Sequence, residues 1–111
     1  MDDATRAALL ESIAHWERLA TGKRLPGENI TIHHCPLCLR FYYREPGCGG
    51  CPVFAHTGRP YCRDTPHGPV ADVFARMIGI AEDDIFASHE FMAAAQRELE
   101  FLRSLLPENE S

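Results

Sequence analysis

The sequence lacks several features that would assign it to a common functional class. No apolar run approaches the roughly 20 residues that a membrane-spanning helix needs. The chain starts with Met1, Asp2 and Asp3, so we expect no secretory signal, which has a basic start and an apolar core. Walker loops, G-x-S-x-G motifs, H-E-x-x-H motifs and internal repeats are also missing. These absences predict a cytoplasmic protein that is not an enzyme and has no membrane segment.

The overall composition is that of one small globular domain. The chain has 111 residues, of which 45% are hydrophobic and 24% are charged, and both values are ordinary for a globular protein. This length predicts a single domain over residues 1–111. The net charge of −5 argues mildly against a nucleic-acid coat or a membrane-surface binder.

Cysteine is the residue that stands out. The chain has five cysteines, four of them within 17 positions. An odd number disfavours a secreted disulfide framework, which normally uses an even number, and thiols stay reduced in the cytosol. Clustered cysteines in a reducing compartment bind metal more often than they bind each other. We therefore expect metal binding rather than disulfides.

The chain divides into three regions by composition. Residues 1–24 have no net charge, and residues 70–111 have a net charge of −6. Residues 25–69 contain every cysteine, six of the eight glycines and seven of the eight prolines. Because this middle region is dense in turn signals, it buries little apolar area against its conformational entropy. Covalent or coordinate bonds should hold it together, and residues 29–33 and 39–44 suit short strands.

The first region predicts one amphipathic helix over residues 4–21. Apolar residues recur at spacings of four and three between Leu9 and Trp16, which is typical of a helix with one buried face. Gly22 suits the end of this helix. His15, on the same helix, is expected to be half-buried or exposed.

The last region predicts a short helix at residues 70–79, a solvated turn at residues 82–84 and a long final helix. Ser88 suits the N-cap of the final helix, and Pro107 suits its end. Between them, apolar residues recur every three or four positions, so the final helix should bury one face.

Two Cys-x-x-Cys pairs form the strongest motif in the chain. Cys35 and Cys38 enclose Pro-Leu, and Cys48 and Cys51 enclose Gly-Gly. A Cys-x-x-Cys turn presents two thiolates to one metal ion, and proline in the second position favours the tight turn of a zinc knuckle. Two such pairs close together predict a tetrahedral zinc site.

Cys62, which follows Cys51 by eleven positions, leaves two ligand sets open. In one set, both Cys-x-x-Cys pairs bind the metal and Cys62 is a spare buried thiol. In the other set, Cys35 and Cys38 bind together with Cys62 and with either Cys48 or Cys51. The second set is slightly favoured, because it explains why Cys62 ends a loop that returns from the second pair. A histidine ligand also stays open, and the histidines near the motif are His33, His34, His56 and His67.

The set of candidate ligands favours a closed structural site. Catalytic zinc keeps an open coordination position, usually with a histidine and an acid nearby, and no acid lies within the motif. Four thiolates also suit an iron–sulfur cluster, but the spacing differs from the common ferredoxin runs. His15 and Glu17 begin a zinc-deaminase-like signature, which Gly47 interrupts between the proline and the cysteine. We therefore expect structural Zn²⁺ and no enzyme activity.

Several stretches of the chain form a combined pattern that extends beyond the zinc motif. They are His15-Trp16-Glu17, Cys35-Pro36-Leu37-Cys38, Cys48-Gly49-Gly50-Cys51-Pro52-Val53, Thr57-Gly58, Cys62, Thr65-Pro66 and Glu100-Phe101-Leu102-Arg103-Ser104-Leu105-Leu106-Pro107. Together they resemble a family of small zinc-binding-like proteins encoded by tailed bacteriophages and prophages. The family pattern includes all five cysteines, which counts against a spare thiol, and His67 departs from it by replacing an aromatic residue. The resemblance implies a protein of the host cytoplasm but no particular activity.

These observations predict a mainly α fold in which the first and last helices pack together. The Cys-rich zinc-binding region is expected to be a loop-rich insertion with a short β-hairpin. For function, we expect a small intracellular zinc protein that binds a protein partner, such as a phage factor that modulates its host. The alternative is a zinc-dependent nucleic-acid-binding protein, because basic and aromatic residues occur together in the zinc region, as on surfaces that stack single strands. These residues are Arg40, Arg44, Arg59, Arg63, Tyr42, Tyr43 and Tyr61.

Overall fold

The computed structural model describes residues 1–31, 34–45, 47–59 and 61–106. Within these residues the chain is mainly helical and compact, as the sequence predicts. None of the described helices is long and apolar enough to cross a membrane. The helices are α1 (Asp3–Ala20), α2 (Pro36–Phe41), α3 (Pro52–Thr57), α4 (His67–Arg76), α5 (Glu82–Ala87) and α6 (His89–Ser104).

Helix α1 lies where the sequence predicts the first helix. The Asp2 side chain accepts a hydrogen bond from the N–H of Thr5 at 2.7 Å and so caps the N-terminus. The chain leaves the helix at Gly22, whose φ of +73° is a left-handed value that glycine adopts without steric cost. Leu9 and Trp16 are buried, so the predicted apolar face of α1 belongs to the core.

Helix α6 packs against α1, which confirms that the first and last helices are partners. The Ser88 hydroxyl accepts a hydrogen bond from the N–H of Phe91 at 3.1 Å, so Ser88 is the N-cap, as predicted. Phe91, Leu99 and Leu102 are all buried on this helix. Burying a side chain of this size contributes about 1.5–3 kcal/mol, so the α1–α6 pair forms the main support of the fold.

Helices α4 and α5 also pack against α6. The rings of Phe74, Phe86 and Phe91 meet edge to face, with centroids 4.9 to 5.6 Å apart. The solvated turn that the sequence predicts at residues 82–84 is instead the first turn of α5. Three acids at a helix N-terminus interact favourably with the helix dipole. The acidic run that suits a solvated turn therefore also stabilises the first turn of a helix.

The predicted β-hairpin is wrong, because none of the described residues forms a strand. Leu37 and Phe41, four positions apart, are buried on α2, so this segment has helical rather than alternating periodicity. Pro36 occupies the first turn of α2, where proline favours helix initiation. At the other predicted strand, the Asn29 side chain accepts a hydrogen bond from the N–H of Thr31 at 2.9 Å and forms a local turn.

Candidate metal centre

The short helices and turns of the middle region position the cysteines. Cys35 is the N-cap of α2 and Cys51 is the N-cap of α3, and each is followed by a proline in the first turn of its helix. Cys48 and Cys62 lie in turns, and both have a φ of +57°. Non-glycine residues rarely adopt this left-handed backbone. The surrounding structure must therefore stabilise the strained backbone at these two cysteines.

All five cysteines line a single cavity of about 450 Å³. Trp16 from α1 and Glu98 and Leu102 from α6 also line this cavity. The cavity thus lies between the cysteine-rich segment and the helices that form the main support of the fold. We call it the cysteine cavity, and it brings together all five cysteines that the sequence predicts as candidate ligands.

Helix α1 holds the first cysteine pair. The Cys38 thiol hydrogen-bonds to Cys35 and lowers the pKa of Cys35, while the same bond raises the pKa of Cys38. The Ser12 hydroxyl lies 3.9 Å from the Cys35 sulfur and accepts a hydrogen bond from the N–H of Leu37 at 3.2 Å. The turn between the two cysteines is therefore fastened to a buried side chain of the first helix.

The other three thiols have different surroundings. The Cys48 sulfur accepts a hydrogen bond from the N–H of Tyr61 at 3.3 Å. Burial raises the pKa of the Cys51 thiol. Burial also raises the pKa of the Cys62 thiol, and the negative charge of Glu98 raises it further. Close packing of these groups disfavours several thiolates at once unless a cation lies among them.

The thiols line one cavity, but their side chains are not arranged as a ligand sphere. Among the described residues, no three Cys, His, Asp or Glu side chains form a group that could hold a metal ion. The chemistry of the donors nevertheless fits zinc, because cysteine sulfur is its preferred ligand in closed sites. The apolar walls around the sulfurs fit a buried structural ion.

One of the candidate histidines reaches the cysteine cavity. His67 lines it, packs edge-on against Trp16 with centroids 5.8 Å apart, and has a pKa lowered by burial. His34 and His56 are exposed, and His33 lies outside the described residues. Of the candidate histidines in the described part of the chain, His67 is the one that lines the cavity.

Glu98 is the site residue that sequence reasoning missed. It is 3% exposed, and burial, followed by the charge of Cys35, raises its pKa to about 8. Its Oε2 atom has no hydrogen-bond partner in the described part of the chain. The sequence contains one indication of this burial. Glu98 lies four positions after Ala94 and four before Leu102, so it is an acid on the apolar face of α6.

A polar network next to the cavity fastens the start of the middle region to α1. The Glu28 carboxylate lies 2.5 Å from Nδ1 of His15 and 2.6 Å from Nη2 of Arg18, and it accepts the N–H of Leu25 at 3.0 Å. Burial alone would raise the pKa of Glu28, but these hydrogen bonds lower it to about 2. The expectation that His15 is half-buried or exposed is wrong, since its side chain is 2% exposed and bound in this network.

The basic and aromatic residues of the middle region also come together. Tyr42 contacts Tyr43 and Tyr61, with ring centroids 4.9 and 5.1 Å apart. The Arg63 guanidinium lies 5.8 Å from the centre of the Tyr61 ring. Tyr43 is 85% exposed, so one ring of this group is open to solvent. We call Tyr42, Tyr43, Tyr61 and Arg63 the tyrosine cluster. The remaining arginines are Arg40 and Arg44, which lie over the Phe41 ring, and Arg59, which pairs with Asp64.

Comparison with known proteins adds no relative. No protein-family model, curated protein or solved structure matches the chain. The resemblance to the phage and prophage family therefore stays a prediction, and the chemistry of the site rests on the contacts described above.

Proposed function

We propose that the protein binds Zn²⁺ through thiolates of the cysteine cavity and that this metal is structural. The observation that carries the proposal is that all five cysteines, from separate segments, line one cavity. Thiolates are strong zinc ligands, and sets of four are typical of closed structural sites. A divalent cation also removes the repulsion between neighbouring thiolates. Binding requires the thiol side chains to rotate towards a common point.

A structural role follows from the segment that the metal would hold. The middle region has short helices of six residues each, which are marginal without tertiary support. Cys48 and Cys62 also adopt left-handed backbone conformations, at a cost of about 1–2 kcal/mol each. Zinc coordination supplies about 10 kcal/mol or more to folding, which exceeds these costs.

Elemental analysis of the purified chain tests the zinc proposal. We expect about one zinc ion per chain that survives dialysis and is removed by a strong chelator. Substituting each cysteine by serine in turn identifies the ligands, since four of the five positions should release the metal. Zinc-free protein that stays folded, or zinc that no cysteine substitution releases, would contradict the proposal.

We further propose that the folded chain acts by binding a protein partner inside the cell, as a phage factor that modulates its host would do. Ile78 and Ile80, in the turn between α4 and α5, are 88% and 51% exposed. The acidic first turn of α5, Glu82–Asp84, follows directly. Glu82 and Asp83 already face Arg24 of the same chain, so the exposed apolar side chains, rather than the acids, are the feature that suits a partner.

A pull-down from the native host cell, followed by binding of the purified partner, tests this role. Replacing Ile78 and Ile80 by serine should weaken binding of that partner by about tenfold or more, the loss expected for removing two anchors. Leu39→Ser is the matched control, since Leu39 is also exposed, at 67%, but lies on α2. Equal binding by the double variant and the wild type would overturn the role of this turn.

Nucleic-acid binding is the second candidate, and the tyrosine cluster favours it. An exposed ring that packs on further rings, with an arginine over one of them, is the arrangement on which single-stranded bases stack. A gel shift with single-stranded oligonucleotides should weaken steeply with salt. Tyr43→Ala should reduce the shift, and Ile78→Ala should leave it unchanged. Absence of any shift at low salt would eliminate this function.

A further inference from the structure

Tyr61 belongs both to the cysteine cavity and to the tyrosine cluster. It lines the cavity, and its ring packs against that of Tyr42 with centroids 5.1 Å apart. The residue is 45% exposed, so it also reaches the protein surface. The backbone N–H of Tyr61 donates a hydrogen bond to the Cys48 sulfur at 3.3 Å. One residue therefore contacts a candidate metal ligand and forms part of an exposed aromatic surface.

Gly47 lets Tyr61 lie directly on the turn that contains Cys48. The φ of Gly47 is +118°, a value that glycine adopts readily and other residues rarely do. A Cβ atom at this position would lie 2.5 Å from the Tyr61 hydroxyl oxygen, which is too close for any side chain. The turn of the second cysteine pair therefore has the shape that the Tyr61 phenol needs in order to pack on it.

Tyr42 is fastened to both cysteine pairs through its backbone. Its N–H donates to the carbonyl of Cys38 at 3.0 Å, and its carbonyl accepts the N–H of Cys48 at 3.3 Å. The Tyr42 ring also packs against Tyr43, with centroids 4.9 Å apart, and Tyr43 is 85% exposed. A continuous series of contacts thus leads from the cysteines to a ring that is open to solvent.

The backbone at Tyr61 needs support to keep this arrangement. Tyr61 and Cys62 have φ values of +63° and +57°, which non-glycine residues keep only where the surrounding structure holds them. At Tyr61 the surrounding groups are the Cys48 sulfur, the Tyr42 ring and the Gly47 backbone. Fixing the position of the Cys48 sulfur should therefore fix the position of the Tyr61 ring as well.

We propose that Tyr61 couples the metal centre to the tyrosine cluster. Cys48, when bound to zinc, holds the Tyr61 backbone in place, and Tyr61 then completes the platform on which a single-stranded nucleic acid stacks. This coupling rests on the proposed zinc site and on the second candidate function. Tyr61 is a positioning residue of the metal centre, because it acts on the ion through the Cys48 sulfur.

Substitutions at Tyr61 test its positioning role. Tyr61→Ala removes the ring contacts that hold the N–H on the Cys48 sulfur, so zinc affinity should fall about tenfold or more, as for other residues that orient metal ligands. Tyr61→Phe keeps the ring and should retain most of the affinity. Leu39→Ala is the control, since Leu39 is 67% exposed and does not line the cavity. Equal zinc affinity of Tyr61→Ala and the wild type would overturn the positioning role.

Nuclear magnetic resonance of the unmutated chain avoids any effect of these substitutions on folding. Cadmium is a soft divalent ion that can occupy thiolate sites in place of zinc, and its spin-active isotopes report on their ligands. A scalar coupling should join the bound cadmium to the amide proton of Tyr61, transmitted through the hydrogen bond to the Cys48 sulfur. A cadmium-loaded chain without this scalar coupling would overturn the proposal.

Titration of the same sample with a single-stranded oligothymidylate at low salt tests the link to the tyrosine cluster. Because coupling between two sites is reciprocal, binding should shift the cadmium resonance together with the Tyr61 amide resonance. An oligonucleotide that binds without moving the cadmium resonance would overturn the coupling alone. Absence of oligonucleotide binding would overturn the second candidate function and the coupling together. A chain that binds neither zinc nor cadmium would overturn the zinc site and with it the coupling.

Discussion

The Ser12 hydroxyl accepts a hydrogen bond from the backbone N–H of Leu37 at 3.2 Å. Ser12 is fully buried on α1, and Leu37 lies inside the first Cys-x-x-Cys turn. The same hydroxyl lies 3.9 Å from the Cys35 sulfur. One side chain of the first helix thus contacts the first cysteine turn at two points, so the helical core and the proposed metal site should be coupled in stability.

Ser12→Ala should therefore destabilise the chain. The substitution leaves a buried N–H without its acceptor, which costs about 1–3 kcal/mol, and the better helix propensity of alanine returns only about 0.5 kcal/mol. Chemical denaturation of the zinc-bound protein measures this difference. The zinc affinity should fall as well, because the cysteine turn loses its attachment to α1.

Ser104→Ala is the matched control for that substitution. Ser104 is exposed, and its hydroxyl donates to the carbonyl of Phe101 within α6 at 2.5 Å. Its replacement should change the free energy of unfolding by less than about 0.5 kcal/mol. Equal stability of the two variants would refute the coupling between α1 and the cysteine turn.

The network around Glu28 predicts a loss of stability in acid. The pKa of Glu28 is about 2, against 4.5 for a free glutamate, so folding favours the charged form. This contribution, about 3 kcal/mol, is fully present above pH 4.5 and is lost as the pH falls towards 2. Burial lowers the pKa of His15 in spite of its bond to Glu28. Protonation of this histidine therefore also lowers the stability of the fold as the pH falls.

Comparing the wild type with Glu28→Gln isolates this contribution. The variant should be less stable at pH 6, and the difference between the two chains should shrink as the pH falls through the range from 4.5 to 2. Loss of the proposed zinc at low pH would affect both chains and cancel in the difference. A difference that is independent of pH would show that ionisation of Glu28 does not stabilise the fold.

The outer helices were predictable because their apolar spacing is long and regular. Leu9 and Trp16 mark the buried face of α1, and Ser88 marks the start of α6 by its capping chemistry. The aromatic residues at positions 39–44 suit a strand, so the sequence predicts a strand there.

The Phe91 ring should be among the most costly side chains to remove. It is fully buried and meets Phe74 and Phe86 edge to face, at centroid distances of 5.6 and 4.9 Å. Phe91→Ala should destabilise the chain by about 3–5 kcal/mol, the range for deleting a buried ring. Thermal and denaturant unfolding measure this loss.

Tyr43→Ala provides the comparison, since Tyr43 is an aromatic residue that is 85% exposed. Its replacement should change stability by less than about 0.5 kcal/mol. If Phe91→Ala cost no more than Tyr43→Ala, the aromatic packing of α4, α5 and α6 would not contribute to the core as described.

The sequence identified the cysteines that line the cavity but not the polar residues around them. Spacing alone identified Cys35, Cys38, Cys48, Cys51 and Cys62 as candidate ligands, and all of them line one cavity. Ser12 and Glu98 come from helices far from the motif in the chain. Their contribution depends on how α1 and α6 pack, which local patterns do not encode.

Zinc stoichiometry combined with chelation tests the central claim most directly. The measurement is elemental analysis of the purified chain, followed by circular dichroism and thermal melting before and after full metal removal. The account predicts about one zinc ion per chain, with loss of cooperative melting and of helical signal once the metal is removed. A metal-free chain that keeps its helical signal and still melts cooperatively would contradict a structural zinc.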